Sequence, residues 1–332
     1  MINNNKQKNM DINPILSQKI KELSFKNPIG LAAGFDYDAN LINISPSIGF
    51  GYHTIGTVTY LPYGGNPKPM LGRLPKSKSL LVNKGFKSMG IESVLRRVIK
   101  SQKIIPLGIS IGATNKIYEN IHSMANDIVS SFERVTKIDN LDYYEINISC
   151  PNLINSNSLA ITFDSPQGLS ILLEKLSIFN FYHPVFIKMY LEKTIEDTLA
   201  LVEVASKYSW ITGFIFSNLV KDRTNPAFDK KEIENAGKGN FSGKPTEKQS
   251  NILVAEVYKK YKKRFVIIGC GGVFNGIDAY EKIKNGATLV QMITGMIYQG
   301  PQVIGEINKE LAQLIKKDGY KNISEAIGAN FK

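Results

Sequence analysis

The chain has 332 residues, 43% of them hydrophobic, and a formal net charge of +12. That is enough apolar material for a large core, yet no stretch reaches the ~18 unbroken apolar residues of a membrane-spanning helix. Two cysteines, Cys150 and Cys270, exclude a disulfide framework and are too few and too scattered for a zinc site, so no metal is expected.

From the N-terminus, residues 1–9 are polar and Asn/Lys-rich, with no apolar segment behind them, and do not read as a signal peptide. The expectation is a cytoplasmic protein, with peripheral membrane contact left open. Eight short apolar, β-branched runs then alternate with longer amphipathic segments. The strand candidates are Gly30–Gly34, His53–Thr59, Pro106–Ala113, Tyr143–Pro151, Val185–Met189, Gly213–Asn218, Phe265–Gly271 and Leu289–Thr294. Helices are clearest at Ile117–Val135, Gln167–Ile178, Glu196–Lys207, Glu247–Tyr261, Gly276–Asn285 and Pro301–Lys316, where apolar residues recur at three and four positions. Runs such as Phe265–Gly271 are apolar throughout, as in strands buried on both faces.

Eight β/α units without a Pro/Ser-rich linker predict an α/β chain folded as a closed (β/α)8 TIM barrel. Residues 18–332 would form that single domain, behind a short polar extension over 1–17. An open doubly wound sheet would carry a nucleotide fingerprint after its first strand, and none is there. Two irregular stretches, Leu61–Phe86 and Val220–Lys244, follow strands and so belong over the C-terminal mouth, where barrels keep their active sites. Basic residues are dispersed. The run Lys259–Arg264 sits at a helix C-terminus, where cations are favourable, or else serves to attract anionic ligands. No basic–aromatic interleaving suggests a nucleic-acid partner.

The chemistry gathers at strand ends. Gly271-Gly272 and Thr294-Gly295 end the last two strands, and both pairs precede helical segments. Their backbone N–H groups would reach a phosphate, the alternative being plain strand-to-helix turns. Asn147, Cys150 and Asn152 leave the fourth strand, offering amides suited to planar amide-like ligands and a thiol that is either a base or a buried structural group. Lys188, inside the apolar fifth strand, is costly to bury unless it meets an anion or a ring oxygen, or else snorkels to the rim. Asn218 ends the sixth strand at the same mouth. Cys270 is assigned to packing, and His53, His122 and His183 to structure.

Read in order, "NPIGLAAGFD", "IGTVT", "GNPKPMLGRLP", "NISCPN", "VFIK", "SGKP", "IIGCGGV", "LVQMITGMIYQGP" and "ISEAIGA" resemble the dihydroorotate dehydrogenases, in detail the class 2, quinone-linked branch. The resemblance runs from Phe25 to Ala329. It implies an FMN-bearing barrel that oxidises dihydroorotate to orotate in pyrimidine biosynthesis, a small-molecule substrate, and an oligomeric state left open. It places Cys150 as the base that takes the C5 proton while the C6 hydride passes to the flavin. Asn83, Asn147, Asn152 and Asn218 would hold the pyrimidine. Lys188 would sit beside the flavin N1/O2 edge and stabilise the anionic reduced flavin, and Asn147 would also contact the cofactor. Ala33, Gly34, Thr57 and Ser217 would line the ring and ribityl chain, and Gly243, Gly272, Thr294 and Gly295 would close on the phosphate.

The chain departs from the class 2 pattern in several places. It carries the class 1 Cys as base, and Tyr37 where class 2 has Lys. Its substrate loop, Asn83-Lys84-Gly85-Phe86, is one residue shorter, with Lys84 a candidate for the lost cation. Ser110 replaces an Asn, and Leu219 a Thr. The lid after Asn152 lacks its usual "TPGLR". No paired-helix quinone module fits ahead of "SQKIKELSFKNP". These losses keep a second reading open, an FMN oxidoreductase of the same family acting on another planar anionic substrate. A third is a catalytically silent flavin-binding or interaction protein.

Overall fold

The computed structural model describes residues 13–149, 162–216 and 218–332. Thirteen strands follow in chain order among them. These are β1 (Gln18–Ile20), β2 (Leu23–Phe25), β3 (Ile29–Leu31), β4 (Tyr52–Val58), β5 (Leu71–Leu74), β6 (Ser79–Val82), β7 (Leu107–Ile111), β8 (Tyr143–Asn147), β9 (Val185–Met189), β10 (Ile211–Phe216), β11 (Asn240–Phe241), β12 (Val266–Cys270) and β13 (Leu289–Met292).

Eight of them close into a parallel barrel in the order β3-β4-β7-β8-β9-β10-β12-β13. Closure is made by β13 against β3, with Val290 opposite Ile29 and Met292 opposite Leu31. All eight correspond to the runs marked in the sequence, because helices cover the outer face and side chains fill the inner one. The six marked helices are present, from Ile121–Val135 to Val303–Lys317. A further helix, Ile91–Lys100, was not among them; its N-cap is Gly90, which makes no side-chain cap.

The barrel interior is built in layers. Its floor packs Tyr52, Tyr143, Phe186, Ile215, Ile268 and Leu289, closed below by Ile20 and Phe25 of the β1–β2 hairpin. Room for the two tyrosines comes from glycine. A Cβ on Gly30 would stand 2.2 Å from the Tyr52 ring, and one on Gly108 would stand 2.0 Å from the Tyr143 ring. The Tyr52 hydroxyl donates to the Val290 carbonyl at 3.0 Å, and the Tyr143 hydroxyl meets Thr54 Oγ1 at 2.7 Å. Each fully buried ring of this kind contributes about 1.5–3 kcal/mol. The floor is therefore an apolar plug under a polar layer.

Both irregular stretches lie over the mouth, as expected, but they are not structureless. β5 and β6 pair as a hairpin, and β11 joins β6 to make a three-stranded antiparallel sheet. Packing also begins ahead of the boundary expected at Ser17. Pro14–Leu16 forms a helical turn, and Leu16 is buried in the cluster that includes Val303, Ile307 and Leu311. Among the described residues no helix is long and apolar enough to cross a membrane.

Candidate active site

A cavity of about 290 Å³ opens at the C-terminal ends of the barrel strands, under the three-stranded sheet. Its wall draws Thr57 from β4, Asn147 from β8, Lys188 from β9 and Cys270 from β12, with Leu80 and Val82 from β6 as part of the roof. Ala33, Gly34, Asn218, Gly243, Gly272, Thr294 and Gly295 line the same space. Ten of the expected site residues thus converge on one cavity. Cys150, Asn152 and Ser217 lie outside the described residues. Asn83 is buried but is not on the wall; its side-chain oxygen accepts from Asn66 Nδ2 at 3.0 Å, behind the Lys84–Phe86 segment.

The wall rests on a continuous polar chain. Lys188 Nζ stands 3.5 Å from Glu145 Oε1, and Ser110 Oγ donates to that same oxygen at 2.7 Å. Ser110 Oγ is 3.0 Å from Thr57 Oγ1, which accepts from Asn147 Nδ2 at 2.7 Å. Asn147 Oδ1 accepts in turn from the Ser149 backbone N–H and hydroxyl, at 3.1 and 2.9 Å. Asn218 Nδ2 donates to Ser149 Oγ at 2.8 Å. Inward positions on four consecutive strands are tied together, because side chains of period two all face the axis. Glu145, absent from the expected site residues, carries the same sequence signal as Lys188, a charged residue inside an apolar strand. Glu145 is fully buried, and its Oε2 has no hydrogen-bond partner.

At the opposite end the backbone itself forms the wall. Gly243 has φ +82°, and a Cβ there would lie 2.2 Å from the Lys78 carbonyl oxygen and 2.8 Å from Thr294 Cγ2. Gly272 has φ +73°, and its Cβ would lie 2.3 Å from Glu247 Cβ. Thr294 Oγ1 meets Ser242 Oγ at 2.8 Å. Thr294 also opens the helix Thr294–Gln299, whose first-turn N–H groups have no acceptor within the helix. A side chain at either glycine would collide with these neighbours and displace the backbone that forms this end of the wall.

The cavity is electrostatically one-sided. Among the described residues its lining includes Lys84 and Lys188 and no carboxylate. Lys84 Nζ sits 4.3 Å above the centre of the Tyr37 ring, an attractive cation–π contact. Burial, aided by Lys87, lowers the Lys84 pKa, so its charge is held at a cost that an anionic ligand would relieve. The Tyr37 turn is braced from below. Asp36 accepts from the backbone N–H groups of Asn40 and Leu41, and His53 Nε2 is 3.3 Å from its other face at Oδ2. Burial pushes the Asp36 carboxyl up, but the neighbouring His53 and the hydrogen bonds from the Asn40 and Leu41 backbone outweigh it and leave its pKa below the ordinary value. His53 Nδ1 meets Ser45 Oγ at 2.9 Å, so Ser, His and Asp stand in line here; all three are buried away from the cavity and serve the turn.

Cys270 corrects an expectation. Assigned to packing, it does pack against the barrel floor but is only half-buried, and it also lines the cavity. As the last residue of β12 it lies where the floor gives way to the site, so one side chain belongs to both.

The comparisons with known proteins follow the same lines. The family model described as Dihydroorotate dehydrogenase matches residues 15–315. The chain is 35% identical over 324 residues to "Dihydroorotate dehydrogenase (quinone)" of Trichodesmium erythraeum, covering 94% of this chain and 83% of that protein. It is 36% identical over 298 residues to the protein of the same name from Christiangramia forsetii, covering 90% and 85%. Among solved structures, ligand-free DHODH from Eimeria tenella superposes with a TM-score of 0.86 at 28% identity, covering 96% of this chain and 93% of that one. The same organism's enzyme in complex with ferulenol gives a TM-score of 0.85 at 27% identity, covering 97% and 90%.

Proposed function

The chain belongs to the dihydroorotate dehydrogenase family, and from that premise we propose that it is an FMN-dependent enzyme oxidising dihydroorotate to orotate at the C–C bond of the ring, in pyrimidine biosynthesis. The observation that carries this reading is a single cavity in which Lys188, Asn147 and Asn218 face a glycine-walled end, with two lysines and no carboxylate among its described lining.

The residues present fit FMN. Gly243, Gly272, Thr294 and Gly295 would hold the phosphate, where a Cβ at Gly243 or Gly272 would collide with backbone or side chain. Ala33, Gly34 and Thr57 would lie along the ring and ribityl chain, with Ser217 beside them. Lys188 would meet the ring edge, sharing it with Asn147. When bound, FMN supplies the two-electron acceptor for the reaction.

The chain's own groups do the rest. Asn147 and Asn218 orient the pyrimidine by pairing donor and acceptor amides with its own, and Asn152 joins them. Asn147 cannot swing freely, since Thr57 and Ser149 hold both ends of its carboxamide. Lys84 faces the same space with a cation for the substrate carboxylate. Asn83 supports the Lys84–Phe86 segment through Asn66 rather than touching substrate. Cys150 takes the C5 proton as thiolate; it directly follows Ser149, which is fixed between Asn147 and Asn218. Both curated relatives are named for quinone, so a quinone analogue is the acceptor to use in assay.

The base assignment is tested with Cys150→Ala and Cys150→Ser under anaerobic single turnover. General-base loss is worth about 10²–10⁴ in rate. The alanine variant is expected to fall by at least that lower figure. The serine variant should keep part of the rate, with its pH profile moved to higher pH. An alanine variant as fast as the parent removes Cys150 from the mechanism.

A further inference from the structure

Lys188 is not alone in the barrel. Its Nζ lies 3.5 Å from Glu145 Oε1, on the neighbouring strand, with Asn147 opposite Lys188 in register. Glu145 is fully buried and Lys188 nearly so. A carboxylate in such a place needs hydrogen bonds to repay its lost hydration. Glu145 has one from Ser110 Oγ, at 2.7 Å, on the oxygen that faces Lys188. Its other oxygen has none. An apolar side chain would fill this position in the strand without that cost. The carboxylate therefore has work that packing does not explain.

We propose that Glu145 is a positioning residue for Lys188: it aims the ammonium at the cavity wall and offsets part of its charge, and so sets how strongly the site favours the reduced form of its cofactor. The proposal rests on the FMN reading above. A bare lysine at the ring edge would stabilise negative charge there strongly. A lysine paired from behind stabilises it less, because the carboxylate's field opposes it over nearly the same distance. The Ser110 hydroxyl fixes which oxygen faces Lys188. Through Thr57 and Asn147, the same chain of hydrogen bonds connects the ion pair to the substrate side.

The test is Glu145→Gln in the holoenzyme, read by the midpoint potential of bound FMN. Glutamine keeps the volume and can still accept from Ser110, but it carries no charge. Unmasking Lys188 should tighten reduced FMN relative to oxidised by about tenfold, which for a two-electron couple moves the potential upward by about 30 mV. Lys188→Met should move it downward. The KM for dihydroorotate in E145Q should stay within about twofold, since no substrate contact is lost. Glu145→Asp, which withdraws the carboxylate from Lys188 by one methylene, is the second variant should E145Q fail to fold, and its potential should rise as well. A folded E145Q or E145D that binds FMN at the parental potential overturns the proposal. A parent protein that takes up no FMN instead overturns the FMN reading itself.

Discussion

Asn147 Nδ2 donates to Thr57 Oγ1 at 2.7 Å, across the barrel interior from β8 to β4 with β7 between them. The bond locks an amide and a hydroxyl of the cavity wall against each other. If Asn147 turns toward a ligand, Thr57 Oγ1 loses this donor and keeps only Ser110; if Thr57 turns, Asn147 Nδ2 loses its acceptor.

Thr57→Val should therefore weaken FMN binding more than the loss of one hydroxyl contact suggests. The isosteric change leaves Asn147 Nδ2 without its acceptor while Ser110 Oγ keeps Glu145, and an unsatisfied buried group costs about 1–3 kcal/mol. At about 1.4 kcal/mol per tenfold, the FMN dissociation constant should rise between several-fold and a hundredfold. Titrating apoprotein with FMN by fluorescence quenching measures it.

Gly243 lies in a region of backbone conformation that side chains avoid, and its Cβ would strike the Lys78 carbonyl. Gly243→Ala should weaken FMN more than tenfold and lower the melting temperature, since strain of this kind costs about 1–3 kcal/mol. Gly237→Ala is the control, because nothing lies within 4 Å of its Cβ position. Both values should stay at the parental level there.

Removing one member of the Lys188–Glu145 pair should cost more than removing both. Lys188→Met leaves a buried carboxylate without its cation, a change of about 3–5 kcal/mol in comparable buried pairs. Combining it with Glu145→Gln should recover most of that loss. Urea unfolding of the two single variants and the double variant closes the cycle. Strict additivity would mean that the two side chains do not interact.

Lys282 sets a pH dependence on the alkaline side. It is fully buried, with Nζ bonded to Ser250 Oγ at 3.0 Å and Asn251 Oδ1 at 2.8 Å, and burial lowers its pKa from 10.5 to about 8. Between those values the unfolded chain holds more protons than the folded one, so stability rises with pH. The penalty for charging Lys282, on the order of 3 kcal/mol, is fully present below about pH 8 and disappears towards pH 10.5. Compared with Lys282→Met, the parent should therefore gain stability from pH 7 to pH 9.5. Denaturant midpoints at the two pH values test the sign.

The barrel was legible because its strands are covered on both faces, which leaves continuous apolar runs such as Phe265–Gly271 that local pattern alone reveals. The hairpin of β5 and β6 was not. Only Leu74 of β5 is buried, so its residues show no alternation, and β11 is two residues long. Ile91–Lys100 lacked a side-chain cap to mark its start. Within the site, Lys188, Asn147 and the glycine pairs stood out by residue type at strand ends. Glu145, Ser110 and the place of Asn83 depended on which strands are neighbours and which way each side chain turns, and sequence spacing carries no record of either.

The most direct test of the account is anaerobic mixing of the FMN-loaded protein with dihydroorotate, following the visible flavin absorption. Bleaching is expected, with one orotate formed per flavin, and restoration on adding an acceptor. A protein that cannot be loaded with FMN, or whose flavin stays oxidised at millimolar dihydroorotate, would contradict it.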